Sequence, residues 1–227
     1  EIDNKNTTNE YYLTDIVAKA VARGEICKVV RCTETETLGV NSRVELAEAE
    51  LEFQTLRRDE LLENGITMPA PETVHLAYDT IIGRDSTIEQ NVVFGPGVTI
   101  ETGAKIRAFS HLEGAHVSRG CVVGPYARLR PGAELAEDVK IGNFVEIKAS
   151  LLAEGAKVNH LSYIGDTTVG ARANIGAGTV TCNYDGVMKH RTSIGEDAFI
   201  GSNTMFVAPV SVGQEAMTAS GSVIVRN

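Results

Sequence analysis

The chain has 227 residues, and its 21 basic and 30 acidic side chains give a formal net charge of −9. This acidic balance argues against a protein that binds nucleic acid or a membrane surface, and the sequence has no apolar run near the ~18 residues of a transmembrane helix. The four cysteines lack CxxC spacing and the chain opens on a polar stretch without a signal peptide, so we expect free thiols and a cytoplasmic protein.

The first 43 residues predict only one αβ unit. Residues 12–22 have the pattern of a helix with Gly24 as its C-cap, and residues 26–30 predict a strand. One helix and one strand cannot bury a core of their own. We therefore expect residues 1–43 to be the C-terminal remnant of a larger α/β domain, poorly ordered without the missing portion.

A long helix is predicted next, over about residues 42–64. Its apolar residues fall roughly on one stripe and many of its other residues are Glu or Arg, which is typical of an exposed linker helix between domains. The Met-Pro-Ala-Pro sequence at 68–71 then marks a boundary, and residues 74–78 predict a first strand. We accordingly expect a linker helix at 44–64 and a separate domain at 65–227.

From Ile82 to Ile224 an aliphatic or aromatic residue recurs every six residues, and a small or β-branched residue follows most of these by four places. The pattern slips by one residue before Val117, Leu152 and Val169 and then resumes. A six-residue period of this length predicts a mainly β protein, a parallel β-helix in which three hexads close one triangular coil. Helix packing at about 3.6 residues or strand alternation at about two would not produce it. The repeated positions include Ile82, Ile88, Phe94, Ile100, Ile106, Leu112, Val117, Val123, Leu129, Leu135, Ile141 and Ile147.

One coil breaks this rule. Between Ile175 and Ile200 three hexads take 25 residues instead of 18, and the extra seven lie within 182–192. A polar loop that leaves a regular coil is a usual place for function in a solenoid, and this one mixes Asn, Tyr, Lys, His and Arg. A tolerated surface insertion is the alternative.

Counting by coils predicts which side chains stack. His160 lies two residues after the hexad position Val158, and the same position in the following coils is Ala177, Ser202 and Ser220. We expect these residues to form one column about 4.8 Å apart, a groove for an extended ligand with its reactive end at the imidazole. A histidine, with an ordinary pKa near about 6.5, can act there as a general base, although a lone histidine is more often structural.

Arg130 and Lys148 are predicted to stack one coil apart and to point outward. Like charges this close repel by roughly 1 kcal/mol or more unless an anion lies between them, so the pair indicates a phosphate site. Two surface cations, each near an acid such as Glu134 or Glu146, are the alternative.

Two further site classes are weaker. The sequence offers His111 and His116 no third ligand that would complete a zinc-type set, so we expect no metal in the β-helix. The Gly-rich stretch at 175–179 is a hexad turn rather than a dinucleotide-binding loop, because no βαβ unit surrounds it.

Several segments resemble the bacterial bifunctional N-acetylglucosamine-1-phosphate uridyltransferase/glucosamine-1-phosphate N-acetyltransferases. The resemblance covers the whole chain and implies a left-handed β-helix that assembles as a homotrimer, with each acetyltransferase site between subunits. The segments are GPYARLRPG at 124–132, GNFVEIK at 142–148, NHLSYIGD at 159–166 and NIGAGTVTCNYDG at 174–186, with NEYYLTDI at 9–16 and GVNSR at 39–43 matching the end of the uridyltransferase domain.

The resemblance implies a role for each candidate residue. His160 would take a proton from the 2-amino group of glucosamine 1-phosphate as it attacks the acetyl-CoA thioester, and Glu146 and Asn183 would orient the amine and the histidine. The sugar-phosphate site would comprise Arg130, Lys148, Tyr163, Asn174, Lys189 and Glu146. The acetyl-CoA groove would comprise Ala177, Asn183, Tyr184, Ser202 and Ser220.

The sequence departs from that family in three places. Ser220 stands where the family usually has Ala, and the chain stops before the family's C-terminal arm, which carries a further basic contact to CoA. The Gly-rich nucleotide loop and a metal-binding Asp of the uridyltransferase half are absent from this sequence. Asn41 matches the remaining magnesium-site Asn, but without its partner we expect no Mg²⁺ to be bound and no uridyltransferase activity from this chain.

The leading expectation is therefore acetyl transfer that supplies UDP-N-acetylglucosamine for peptidoglycan and lipopolysaccharide precursors, with small-molecule partners and neither nucleic acid nor membrane. An alternative is a hexapeptide-repeat acyltransferase that acts on another amino sugar or a nucleotide sugar. A non-catalytic trimerisation scaffold and a β-helix carbonic anhydrase belong to other classes; assay of acetyl transfer and zinc analysis separate them.

Overall fold

A computed structural model describes residues 2–226, which divide at Glu50 and Leu51 into two compact units. Among these residues no helix is long and apolar enough to cross a membrane. The described residues contain two α-helices, Asp15–Ala22 (α1) and Arg43–Glu63 (α2), and two 3₁₀ turns, Glu34–Thr37 and Pro71–Thr73.

The first unit confirms the predicted helix near residues 12–22 but not the predicted strand. Residues 26–30 form no strand, and the side chains of Ile26, Val29 and Val30 are almost fully exposed. The strand prediction is wrong because an apolar run becomes a strand only beside a hydrogen-bonded neighbour and a core, and α1 buries no residue. The assignment of residues 1–43 to a larger domain stays a prediction.

The long helix α2 agrees with its predicted limits and begins with a capping box. The backbone N–H of Glu45 donates to Oγ of Ser42 at 3.2 Å, and Oε2 of Glu45 accepts from the N–H of Ser42 at 2.7 Å and of Asn41 at 2.6 Å. The backbone N–H groups of Asn41 and then Ser42 lower the pKa of the Glu45 carboxyl. Two of the donors that a helix start leaves unsatisfied are thus paired.

The C-terminal half of α2 covers the start of the β-helix, within the second unit. The buried amide of Gln54 donates from Nε2 to the carbonyl of Leu76 at 2.6 Å and accepts from the N–H of Leu76 at 2.9 Å. Arg58 donates from Nε to the carbonyl of Val74 at 2.9 Å. The predicted first strand at 74–78 is only a single bridge, between His75 and Val93, because these side-chain contacts take the place of strand pairing.

The hexads fold as a parallel β-helix whose strands form three flat faces. The first face contains Ile81–Ile82, Thr99–Ile100, Ala115–Val117, Ala133–Leu135, Ser150–Leu152, Thr167–Val169, Thr192–Ile194 and Val210–Val212. The second face contains Thr87–Ile88, Lys105–Ile106, Val122–Val123, Lys140–Asn143, Lys157–His160, Asn174–Ile175 and Phe199–Ile200. The third face contains Val93–Phe94, His111–Leu112, Arg128–Leu129, Glu146–Lys148, Tyr163–Gly165, Val180–Cys182, Met205–Val207 and Val223–Ile224.

The repeated aliphatic positions form the core. Ile82 pairs with Ile100 one coil later, and Ile175 pairs with Ile200 across the long insertion. The hexad positions from Ile82 to Phe206 are buried, so each coil packs its aliphatic column on the next. The six-residue period therefore predicted both the fold and the residues of its core.

Candidate functional site

The predicted column that begins at His160 is present at the corner where the second face ends. The carbonyl of His160 accepts the N–H of Gly178 at 3.2 Å, that of Ala177 the N–H of Asn203 at 2.7 Å, and that of Ser202 the N–H of Gly221 at 2.8 Å. These bonds place His160, Ala177, Ser202 and Ser220 at equivalent positions of successive coils. The stacking is confirmed, whereas what the column binds stays a prediction.

The predicted pair of stacked cations lies on the third face. Glu146 is the register partner of Arg128, which sets Lys148 beside Arg130. Each cation binds one acid, Arg130 Nη1 to Glu146 Oε1 at 2.8 Å and Lys148 Nζ to Asp166 Oδ2 at 3.1 Å. The hydrogen bond to Glu146 raises the pKa of Arg130. The stacking is confirmed, and the acids keep both side chains in place.

Asp166, which sequence analysis missed, joins this pair to the inserted loop. Its carboxylate also accepts a hydrogen bond from Nδ2 of Asn183, and that amide lies 3.4 Å from the hydroxyl of Tyr163. A Cβ on Gly165 would lie 2.5 Å from the Tyr163 hydroxyl and 2.7 Å from Asn183 Nδ2, so only glycine admits this approach. The sequence signal that could have identified Asp166 is its position 18 residues, about one coil, after Lys148.

The inserted loop is a structured turn that brings a third cation to the cluster. Tyr184 and Lys189 form an antiparallel bridge, and Asp185 accepts hydrogen bonds from the N–H groups of Val187 and Met188 at 2.8 and 2.7 Å. His190 Nε2 lies 2.7 Å from Oδ2 of Asp185. These N–H groups, first that of Met188, and His190 lower the pKa of the Asp185 carboxyl.

Lys189 from this loop lies against Lys148. The neighbouring Lys189 amine raises the pKa of Lys148, burial opposes that shift, and Asp166 adds to it. The neighbouring Lys148 amine and its charge lower the pKa of Lys189. Three cationic side chains, with Arg130, thus converge on a single patch, which is what a phosphate group requires.

Of the described residues that form this patch, none bonds to His160. Nδ1 of His160 contacts Oδ1 of Asn143 at 2.9 Å, whereas Glu146 and Asn183 bond to Arg130 and Asp166. The expectation that Glu146 and Asn183 orient the amine and the histidine stays a prediction. Glu146 begins a third-face strand and Asn183 follows one, while His160 stands at the corner where a second-face strand ends.

Asn174 stands away from the cluster, and the side chain of Tyr184 bonds within its own loop. Asn174 is on the second face, paired with Lys157 on one side and Phe199 on the other. The exposed Tyr184 donates its hydroxyl to the carbonyl of Gly186 at 2.6 Å. A single copy of the chain does not bring all the predicted residues together.

The residue predicted for magnesium lies in the first unit. Asn41 precedes α2 and donates its backbone N–H to Glu45. Within residues 2–226 no group of three His, Cys, Asp or Glu side chains could hold a metal ion. These residues do not fit a magnesium site, so no magnesium-dependent step is assigned to them.

Comparison with known proteins connects these features to transferases. A family model described as "Bacterial transferase hexapeptide (six repeats)" matches residues 79–114, and one described as "Hexapeptide repeat of succinyl-transferase" matches residues 191–226. A solved structure of the Francisella novicida UDP-N-acetylglucosamine acyltransferase aligns at 15% identity over 70% of this chain and 60% of that one. Its TM-score of 0.31 is too low to support any argument.

The sequence relatives are much nearer. The "Bifunctional protein GlmU" of Ruegeria sp. (strain TM1040) is 68% identical and that of Jannaschia sp. (strain CCS1) 65% identical, each over all 227 residues of this chain. The chain covers 51% and 50% of these proteins, so it spans about half the length of the relatives it matches. Because this identity runs through all 227 residues, the chain is similar over its whole length to about half of a bifunctional GlmU protein.

Proposed function

We propose that this chain transfers the acetyl group of acetyl-CoA to the 2-amino group of glucosamine 1-phosphate. The observation that supports this most is the position of the base relative to the cations. His160 ends a second-face strand, and Tyr163 begins the third-face strand of the same coil, beside Glu146 of the preceding coil. A general base and a phosphate-binding patch are therefore separated by a single corner.

The chemistry needs one proton acceptor and little else. The lone pair of the sugar's amine attacks the thioester carbonyl carbon, which forms the C–N bond, and the amine's proton passes to Nε2 of His160. Collapse of the tetrahedral intermediate breaks the C–S bond, and the imidazolium returns the proton to the leaving thiolate. The products are the N-acetyl sugar phosphate and the CoA thiol. Such general-base assistance contributes about 10²–10⁴ in rate.

The third-face cluster would hold the sugar phosphate. Arg130, Lys148 and Lys189 supply the positive charge. Glu146 and Asp166 fix the geometry of Arg130 and Lys148 before the substrate arrives. Holding the sugar phosphate at this patch would leave its amine near the corner. Binding energy from the phosphate would then position the reacting nitrogen.

The column of small residues would accept the extended acetyl-CoA. Ala177, Ser202 and Ser220 follow His160 at successive coils, so a thioester beside the imidazole would continue along the corner. Tyr184 in the loop would add an apolar contact. No resident cofactor is needed, because acetyl-CoA is a cosubstrate.

A homotrimer would complete the site. His160 is exposed at a corner and Asn174 lies on a different face from Lys148, so one chain leaves the substrate open to water. A second copy that packs on this corner would provide another wall and could bring its own Asn174 to the sugar. This assembly belongs to the same proposal as the activity.

The test is release of the CoA thiol from acetyl-CoA in the presence of glucosamine 1-phosphate. The expected result is turnover by the unmodified chain, a loss of about 10²–10⁴ in kcat for His160→Ala, and normal turnover for His116→Ala. His116 is the matched control because it lies between Glu101 and Glu134 on the first face. Full activity of His160→Ala would show that His160 is not the general base. Equal turnover with UDP-glucosamine would favour an enzyme that acts on nucleotide sugars.

A further inference from the structure

We propose that Asn143 is a positioning residue that sets which ring nitrogen of His160 carries the proton. Nδ1 of His160 lies 2.9 Å from Oδ1 of Asn143. An amide oxygen only accepts hydrogen bonds, so Nδ1 is the donor and the lone pair of the neutral ring is on Nε2. Among the described residues Nε2 has no hydrogen-bond partner.

The backbone around these two residues is unusually well ordered by pairing. Their strands, Lys140–Asn143 and Lys157–His160, have four residues each, whereas the other second-face strands have two. Asn143 and His160 are direct register partners at the end of this longer ladder. The extra pairing carries the regular strand geometry to the corner, where the imidazole stands.

A glycine makes the close pairing possible. A Cβ on Gly142 would overlap the carbonyl of Asn159, so any other residue there would push the two strands apart. The N–H of Leu161 donates to the carbonyl of Asn143 at 3.1 Å, and Oγ of Ser162 donates to the carbonyl of His160 at 2.8 Å. Both backbones are thereby fixed on either side of the ring–amide contact.

An aromatic stack supports the corner next to Asn143. The ring of Phe144 stacks on Tyr126 with centroids 5.3 Å apart, and Tyr126 stacks on Phe109 at 4.9 Å. All three have positive φ, near +55° to +60°, a conformation that costs energy in residues with a bulky side chain. The stack holds the turn that follows Asn143 and limits the positions its amide can take.

The amide orients the base without adding charge. In the column the neighbours of His160 are Asn143 before it and Ala177 after it, and neither is ionisable. In the part of the chain that the structure describes, no carboxylate lies within ion-pair distance of the ring. The tautomer is thus selected by a neutral acceptor, which leaves Nε2 free to take the amine's proton in the proposed reaction.

The first test uses the full chain without substrate. Nitrogen-15 NMR of the five histidines, with His160 assigned from the spectrum of His160→Gln, distinguishes a protonated from an unprotonated Nε2 at alkaline pH. The expected spectrum has the proton of His160 on Nδ1, and Asn143→Ala is expected to shift the ring towards the Nε2–H form. Gln90→Ala is the control, since Gln90 occupies the same column three coils before Asn143.

The second test uses the pH dependence of kcat and rests on the proposed function. Asn143→Ala should lower kcat about 3- to 10-fold, the order expected for one neutral hydrogen bond, with both KM values nearly unchanged. Asn143→Asp keeps the shape but adds an anion that stabilises the imidazolium, so the acid limb of the profile should move to higher pH. Gln90→Ala should alter neither quantity.

The outcomes separate this inference from the function itself. A proton on Nε2 in the unmodified chain, or an unchanged tautomer in Asn143→Ala, would overturn it. An acid limb that stays in place in Asn143→Asp while kcat falls would reduce Asn143 to a structural residue. Full activity of His160→Ala would show that His160 is not the general base, but it would not change the conclusion about the tautomer.

Discussion

Two pairs of cations stack on adjacent coils of this β-helix, and only one pair belongs to a network. Arg130 and Lys148 on the third face are half-buried and each binds an acid. Lys140 and Lys157 on the second face are register partners too, but they are exposed, and among the described residues neither has an ion-pair partner. Stacking alone therefore does not define an anion site.

The acids make the difference between the two pairs. A lysine side chain that is free in solvent loses rotamer entropy when it binds a phosphate, and this loss weakens the binding. Lys148, whose side chain is 16% exposed, is already held by Asp166. An anion site is therefore expected where acids hold the cations in place, and the charged groups of such a network can be removed one at a time.

The largest expected effect is on the third-face pair. Lys148→Ala should raise KM for glucosamine 1-phosphate about 10- to 100-fold, because a charge-assisted hydrogen bond is lost and Asp166 is left without its cation beside the phosphate. Lys140→Ala is the matched control and should leave KM within about twofold, the usual effect of a surface charge. Initial rates over a range of sugar-phosphate concentrations measure both. Equal changes in the two variants would mean that stacking, and not the network, matters.

The fold could be predicted from the sequence almost completely because the β-helix converts sequence period into spatial columns. The buried positions at Ile88 and Ile147 and the column from His160 to Ser220 all follow from counting. The strand at 26–30 failed because that run has the right residues but no neighbour to pair with. The period of a repeat predicts which strands pair, whereas the sequence of an isolated segment does not predict its partner.

Side-chain partners were less predictable than columns. Asp166 lies 18 residues from Lys148, yet the register partner of Lys148 is Gly165, so the contact comes from the next residue along the turn. Asn143 and His160 are true register partners, although 17 residues rather than three full hexads separate them. Which polar groups meet depends on coil length and on side-chain direction at the corner, and the period alone fixes neither.

A second prediction extends the comparison from the charges to the groove. Ala177→Leu should raise KM for acetyl-CoA about tenfold, the cost of overfilling a fitted space, without changing KM for the sugar phosphate. The control is Ala171→Leu, because Ala171 lies two residues after the hexad position Val169, as Ala177 does after Ile175. Both residues are half-buried at corners. A rise in both KM values, or the same rise in the control, would count against a separate acetyl-CoA groove.

The smallest expected effect concerns Lys189, the exposed member of the cluster. Lys148 lowers the pKa of Lys189. This amine therefore loses its proton at a lower pH than an ordinary lysine, whose pKa is about 10.4. Rising pH should then remove one positive charge from the patch while Lys148, whose pKa is raised, keeps its own. KM for glucosamine 1-phosphate should increase about two- to fivefold on the alkaline side, the range of an exposed ion pair.

Lys189→Arg is the matched variant for this pH dependence, since a guanidinium stays protonated throughout the range. Its KM should remain flat where that of the unmodified chain rises, and Lys140→Arg should reproduce the unmodified curve. If Lys189→Arg follows the same alkaline rise, the titrating group is elsewhere and Lys189 does not contribute charge to phosphate binding. If all three curves are flat, the lowered pKa of Lys189 has no part in binding, and the network reduces to Arg130 and Lys148 with their two acids.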